Sequence, residues 1–265
     1  MKFISAVSKG SRFNQIYVPR NMDGKFESGD LVEVRLLQKR IRLCYSKGLQ
    51  KLSTFKENLI REVFSFLSRF EGLQQIFVVG SFLTEKVDYN DIDILLVTDK
   101  QERYYEERIY PKLVDKFNLR FHIISIAEDR LSHLLEVCPL TRSMLYYHVS
   151  DKKSLDESNR KIDESHLRFL LMMPEDVLEI DVSSRVFYDS MRRLLTIERF
   201  LEVKDEDPVK INDELKKTLG DVLFFQLKSN EAIDEKIVKR IRALIMAELD
   251  KIKGMIEHGQ NRNAS

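Results

Sequence analysis

Hydrophobic positions change period several times along the chain. Between residues 76 and 98 they fall into two short blocks, Ile76-Phe77-Val78-Val79 and Ile92-Asp93-Ile94-Leu95-Leu96-Val97. Gly80-Ser81 closes the first block and Asn90-Asp91 opens the second. Short apolar runs rich in β-branched residues, bounded by turn residues, predict buried strands. On the upstream side Leu59, Val63, Phe64, Leu67 and Phe70 recur at helical spacing behind Ser53-Thr54, two candidate N-caps, and predict a helix over 53–70. Downstream, Ile109, Leu113, Val114 and Phe117 give the apolar stripe of a second helix over 101–117, in which Pro111 predicts a break or a second start. Residues 119–126 read as a third strand. Residues 131–149 read as a helix followed by a further strand or short helix.

Two further regions complete the pattern. Residues 1–37 predict a small β unit: Ile16-Tyr17-Val18-Pro19 and residues 31–37 are strand-like, punctuated by Gly24 and Ser28-Gly29-Asp30. From His166 to His258 the period is helical, carried by Phe187, Met191, Leu194, Leu195 and Leu201, then by Leu215, Leu219, Leu223 and Leu227. Ile237, Ile241, Ile245, Leu249, Ile252 and Ile256 continue it. Three or four such helices form a bundle. The polar stretch 150–164 marks the boundary before it. The expected organisation is α+β: a β unit over 1–37, a mixed sheet flanked by helices over 38–150, a helical bundle over 151–258, and an unstructured tail over 259–265.

Composition narrows the function classes. The chain has 265 residues, 43% hydrophobic and 33% charged, enough to bury a sizeable core. Its net charge is +1, so a signal for nucleic acid must be local. One local asymmetry exists. Arg35, Lys39, Arg40, Arg42, Lys47, Lys51 and Lys56 occur with no acid between Glu33 and Glu57, and Tyr45 and Phe55 are interleaved. Lys39, Arg40, Arg42, Lys47 and Lys51 are therefore candidate nucleic-acid contacts; a solvated linker or helix face is the bland alternative. Cys44 and Cys138 are too far apart in sequence to suggest a disulfide framework or zinc site. No apolar run reaches membrane-spanning length and no signal-peptide pattern opens the chain, so the expected location is cytoplasmic, without a membrane partner.

The chemistry concentrates at the two central strands. A glycine ending a strand lets the backbone turn sharply and approach a bound group. In the second strand Asp91 and Asp93 share a face, since alternate side chains do. Two adjacent carboxylates repel unless a cation lies between them, and hard oxygen donors suit Mg²⁺. This pattern resembles the polymerase-beta-like nucleotidyltransferase superfamily, whose signature is Gly-Ser or Gly-Gly after a strand and Asp-x-Asp in the next. Gly80-Ser81 and Asp91-Ile92-Asp93 match it, and the resemblance covers roughly 55–150.

The resemblance implies a metal-dependent enzyme that transfers a nucleoside monophosphate from a nucleoside triphosphate to a hydroxyl on a small molecule, an RNA end or a protein. Asp91 and Asp93 would hold Mg²⁺ or Mn²⁺, and Gly80 and Ser81 would bind the nucleotide. The family carries a third carboxylate in the next strand. Here His122 occupies that position, a departure that makes it a candidate base, because a neutral imidazole accepts a proton near pH 7 but is a poor partner for Mg²⁺. Glu128 and Asp129, past that strand, would serve only if its end bent inward.

Residues 1–37 resemble an AbrB-type swapped-hairpin domain through Lys9-Gly10-Ser11-Arg12, Ile16-Tyr17-Val18-Pro19-Arg20 and Ser28-Gly29-Asp30-Leu31-Val32-Glu33-Val34, which implies DNA binding as a homodimer. The bundle loosely resembles HEPN-type bundles. The Arg-to-His spacings Arg142 to His148 and Arg160 to His166 lie ahead of it and argue against a nuclease. Two alternatives to an active transferase stay open: a catalytically degenerate relative, and a DNA-binding regulator or antitoxin component working through the N-terminal unit.

Overall fold

The computed structural model describes residues 5–18, 25, 29–34, 41–85, 89–100, 105–153, 155 and 159–263, with side chains to 257. Contacts divide the chain into two units, Met1–Lys39 and Arg40–Ser265. The first holds an antiparallel hairpin of β1 (Val7–Lys9) and β2 (Asn14–Ile16), with Val7 opposite Ile16. The strand expected over 31–37 does not form in its described part: residues 31–34 pair with nothing regular. Gly24, Pro19, Arg20 and Ser28 lie outside the described residues.

The second unit is a five-stranded mixed sheet with helices on both faces and more helices beyond. In chain order it comprises β3 (Cys44–Tyr45), α1 (Thr54–Leu67), β4 (Leu73–Val79), β5 (Ile92–Thr98), α2 (Tyr105–Phe117), β6 (Phe121–Ala127), α3 (Glu128–Val137), α4 (Pro139–Leu145) and β7 (Val149–Ser150). Helices α5 (Glu164–Glu179), α6 (Ser184–Leu201), α7 (Pro208–Leu219), α8 (Asp221–Lys228) and α9 (Glu235–Asn263) follow. The strand order is β3-β7-β4-β5-β6. Only β5 and β6 are parallel, joined through α2; every other neighbour pair is antiparallel.

The central strands β4 and β5 are apolar on both sides because both of their faces are covered. Ile76, Val78, Ile92, Ile94 and Leu96 pack against Ile60, Val63, Phe64 and Leu67 of α1 and Tyr105, Ile109 and Leu113 of α2. On the opposite face Phe77, Val79, Leu95 and Val97 meet Leu131 of α3 and Leu145 of α4. That second cluster is smaller, and Asp93 projects on the same face of β5 with its side chain 30% exposed. Ser53 caps α1 by accepting the Lys56 N–H. Glu106 pins α2 to β6 by accepting both the N–H and the hydroxyl of Ser125, at 2.9 and 2.5 Å.

Several expectations are corrected. Pro111 neither breaks nor restarts α2, which runs through it; the buried stripe Tyr105, Ile109 and Leu113 holds the helix together across the missing N–H. Part of the basic stretch forms β3, an edge strand on β7, rather than a linker. The described C-terminal region has five helices instead of three or four. α9 continues to Asn263 through the stretch expected to be unstructured. No helix among the described residues is long and apolar enough to cross a membrane.

Candidate active site

The site is built where β4 ends. Val79 pairs with Asp93, and Asp93 pairs in turn with His122 on β6. One register row therefore places the last residue of β4 beside the two candidate catalytic side chains. Gly80 follows with φ +76°, then a 3₁₀ turn over Gly80–Leu83. A Cβ at Gly80 would lie 2.1 Å from Asp93 Oδ2. The Asp93 carboxylate thus rests directly against bare backbone, and both the positive φ and the missing side chain are required there. Phe82 and Leu83 anchor the turn in the core while Gly80 and Ser81 stay exposed. Thr84 closes the turn by donating its N–H and its hydroxyl to the Ser81 carbonyl, at 3.1 and 2.7 Å.

Asp93 has a second partner. His122 Nδ1 lies 3.0 Å from Asp93 Oδ1, with the histidine side chain 62% exposed and the aspartate 30%. Facing a carboxylate, Nδ1 is the donor, and in the neutral ring Nε2 is then the acceptor nitrogen. An aspartate that fixes a histidine tautomer in this way orients the ring for proton transfer. Asp91 sits just ahead of β5, half-buried, two positions upstream of Asp93. Glu128 and Asp129 open α3 at the far end of β6, so they cannot stand in for a third carboxylate at the His122 end.

Among the described residues no set of three or more His, Cys, Asp or Glu side chains is arranged to hold a metal ion. The carboxylate at the mouth is Asp93, with Asp91 two positions upstream. Oxygen donors of this kind suit a magnesium ion, which commonly takes one or two protein carboxylates and completes its shell with water and substrate phosphates.

Other sequence candidates fall elsewhere. Lys39 and Arg40 lie outside the described residues, while Arg42, Lys47 and Lys51 are exposed. Lys56 is buried; its Nζ donates to the Thr84 carbonyl at 2.6 Å, and burial lowers its pKa. It braces the 3₁₀ turn instead of contacting solvent anions. Arg142 donates to Glu206 at 3.2 Å, and His148 is buried with Nδ1 2.7 Å from the Leu145 carbonyl and its ring edge-on to Phe77. Both are structural.

One feature escaped the sequence reading. Tyr147, just ahead of β7, donates its hydroxyl to Asp207 Oδ2 at 3.3 Å. Burial, then Asp207, push the Tyr147 hydroxyl up to about 12, so it stays a donor. The contact ties Asp207, the N-cap of α7, to the segment that enters β7. A contact spanning 60 residues leaves no periodic trace in sequence.

No family model matches the chain, and no curated protein matches it. Among solved structures it is similar to the crystal structure of spectinomycin adenyltransferase AAD(9) from Enterococcus faecialis with ATP and spectinomycin, at 13% identity and a TM-score of 0.46, over 75% of this chain and 100% of that one. A likeness this loose carries no argument, so the functional reading stands on the geometry of the site.

Proposed function

We propose that the mouth formed by Gly80, Ser81, Asp91, Asp93 and His122 transfers a nucleoside monophosphate from a nucleoside triphosphate to a hydroxyl acceptor. The observation that supports this most is the Asp93 carboxylate seated on the side-chain-free backbone of Gly80 and bonded to His122. Gly80 and Ser81 present backbone N–H groups and a hydroxyl at an exposed turn, the kind of donors that receive phosphate oxygens. Asp91 and Asp93 would hold Mg²⁺ or Mn²⁺, which supplies neutralisation of phosphate charge when bound. His122 Nε2 takes the acceptor proton, while Asp93 fixes its ring. The test is thermal stabilisation by each nucleoside triphosphate with Mg²⁺, because a ligand bound only by the folded state raises its apparent stability. A nucleotide-dependent rise of several degrees is expected; no rise with any nucleotide at millimolar concentration contradicts the reading.

The N-terminal unit has a separate proposed role as a homodimerisation element. None of its described residues is buried, and Leu31, Phe13, Val32 and Val34 are exposed. A lone two-stranded hairpin is marginal in water, and a unit this small seldom supplies its own core. Sedimentation of the full chain as a dimer, and as a monomer once residues 1–39 are removed, is expected. A monomeric full chain at micromolar concentration would rule it out.

A further inference from the structure

The segment from β3 into α1 brings positive charge and exposed aromatic surface to the lip of the site. Tyr45 is opposite Val149, and Val149 is opposite Val78, so β3 runs parallel to β4 with β7 between them. Both strands end at the same edge of the sheet, about 10 Å apart at ordinary strand spacing. There β4 continues into Gly80-Ser81 and β3 into the turn at Lys47-Gly48. Ser46 holds that alignment: its N–H donates to the His148 carbonyl at 3.0 Å, and its Oγ accepts the His148 N–H at 2.9 Å. At the other end of the segment, Lys56 in the first turn of α1 bonds to Thr84, where the 3₁₀ turn finishes. Lys47, Lys51 and Phe55 therefore lie between two points tied to the mouth.

All three of these side chains are exposed, Phe55 by 64%. A phenylalanine left in water on the first turn of a helix, shortly after two exposed lysines, does nothing for the core. The residues from 34 to 56 include no acid. Glu57 is occupied, accepting the Tyr45 hydroxyl at 2.9 Å; Glu85, exposed past Thr84, is an acidic residue on the same lip. Spaced cations followed by an exposed ring match a ligand that repeats phosphates and carries flat bases. A free phosphate compound needs no ring, and an acidic protein needs no stacking surface.

We infer that residues 45–55 form a track for a single-stranded nucleic acid, whose phosphates meet Lys47 and Lys51, whose base stacks on Phe55, and whose terminal hydroxyl is the acceptor at the site. The acceptor role rests on the nucleotidyltransfer reading. In that step the hydroxyl oxygen bonds to the α-phosphorus and its proton passes to His122 Nε2. The bond from the α-phosphorus to the bridging oxygen breaks, and pyrophosphate leaves with the electron pair.

The experiment is fluorescence anisotropy of the full chain with a labelled short oligopyrimidine and with an abasic strand of the same length, across a salt series. The wild type binds the base-bearing strand more tightly. Lys47→Ala/Lys51→Ala lowers the magnitude of the salt slope by about 1.4, two phosphate contacts at about 0.7 each for single strands. Phe55→Ala weakens the base-bearing strand about tenfold or more and leaves the abasic strand unchanged. Thermal melts confirm that both variants fold, since every altered side chain is exposed. Equal affinity for the two strands, or an unchanged salt slope in the double variant, overturns the track. Nucleotide-dependent stabilisation of the wild type is read separately. If it is absent while the strand binds, the transfer reading fails and the track stands; if it is present while no strand binds, the track fails alone.

Discussion

At the scale of single residues the account turns on Gly80. Its φ of +76° and the 2.1 Å between a built Cβ and Asp93 Oδ2 set two independent demands. Alanine there would be strained by the backbone conformation, at about 1–2 kcal/mol, and would also drive the Asp93 carboxylate off its seat. Gly80→Ala should lower the melting temperature by a few degrees and abolish nucleotide-dependent stabilisation; a variant that still responds to nucleotide like the wild type would show that the close approach is incidental. The glycine turn and Asp93 in the next strand were legible in the sequence, because a strand ending in glycine and an apolar run with an acid inside it are local signals. The bond from Asp93 to His122 was not. It depends on which strand lies next to β5 and in what register, and only the parallel β5–β6 pairing settles that.

At the scale of elements, the packing of α6 on α9 contains a titratable device. Burial, then the neighbouring Glu198, push Glu248 up to about 7, and Lys251 reaches Glu198 from the same side. A carboxyl whose folded pKa is raised favours folding below its unfolded value and loses that contribution as pH rises through the folded one. Stability should therefore fall between about pH 4.5 and 7 from this group. Glu248→Gln should flatten that slope and raise the melting temperature at pH 8 by several degrees. An unchanged profile in thermal melts from pH 5 to 8 would mean that the two carboxylates do not share this environment. The apolar stripes of these helices were plain in the sequence, as were α1, β4, β5 and β6. β3 was hidden because it is only two residues long and its surroundings are basic. Pro111 misled because local chemistry predicts a break where tertiary packing maintains the helix.

At the scale of the whole molecule, the sheet and the bundle share one unit because α3 and α4 belong to both: Leu131 and Leu145 face the sheet, while Val137 and Cys138 enter the core of the bundle. Glu206, 2% exposed, reinforces the junction by pairing with Arg142 at 3.2 Å and Arg160 at 3.1 Å. The polar stretch 150–164 read as a boundary, yet within it Lys161 is tied back to Glu136 and Arg160 forward to Glu206. Long-range ion pairs of this kind carry no signature in a hydrophobic pattern. Tyr147 and Asp207 add a further tie, from the segment that enters β7 to the start of α7. The most direct test of the account is pyrophosphate release from nucleoside triphosphates with Mg²⁺, in the presence of an acceptor mixture, by the wild type and by Asp93→Asn. Nucleotide- and metal-dependent release by the wild type, lost by about a hundredfold or more in a folded Asp93→Asn protein, is the predicted result. Release that is the same in both proteins would contradict it.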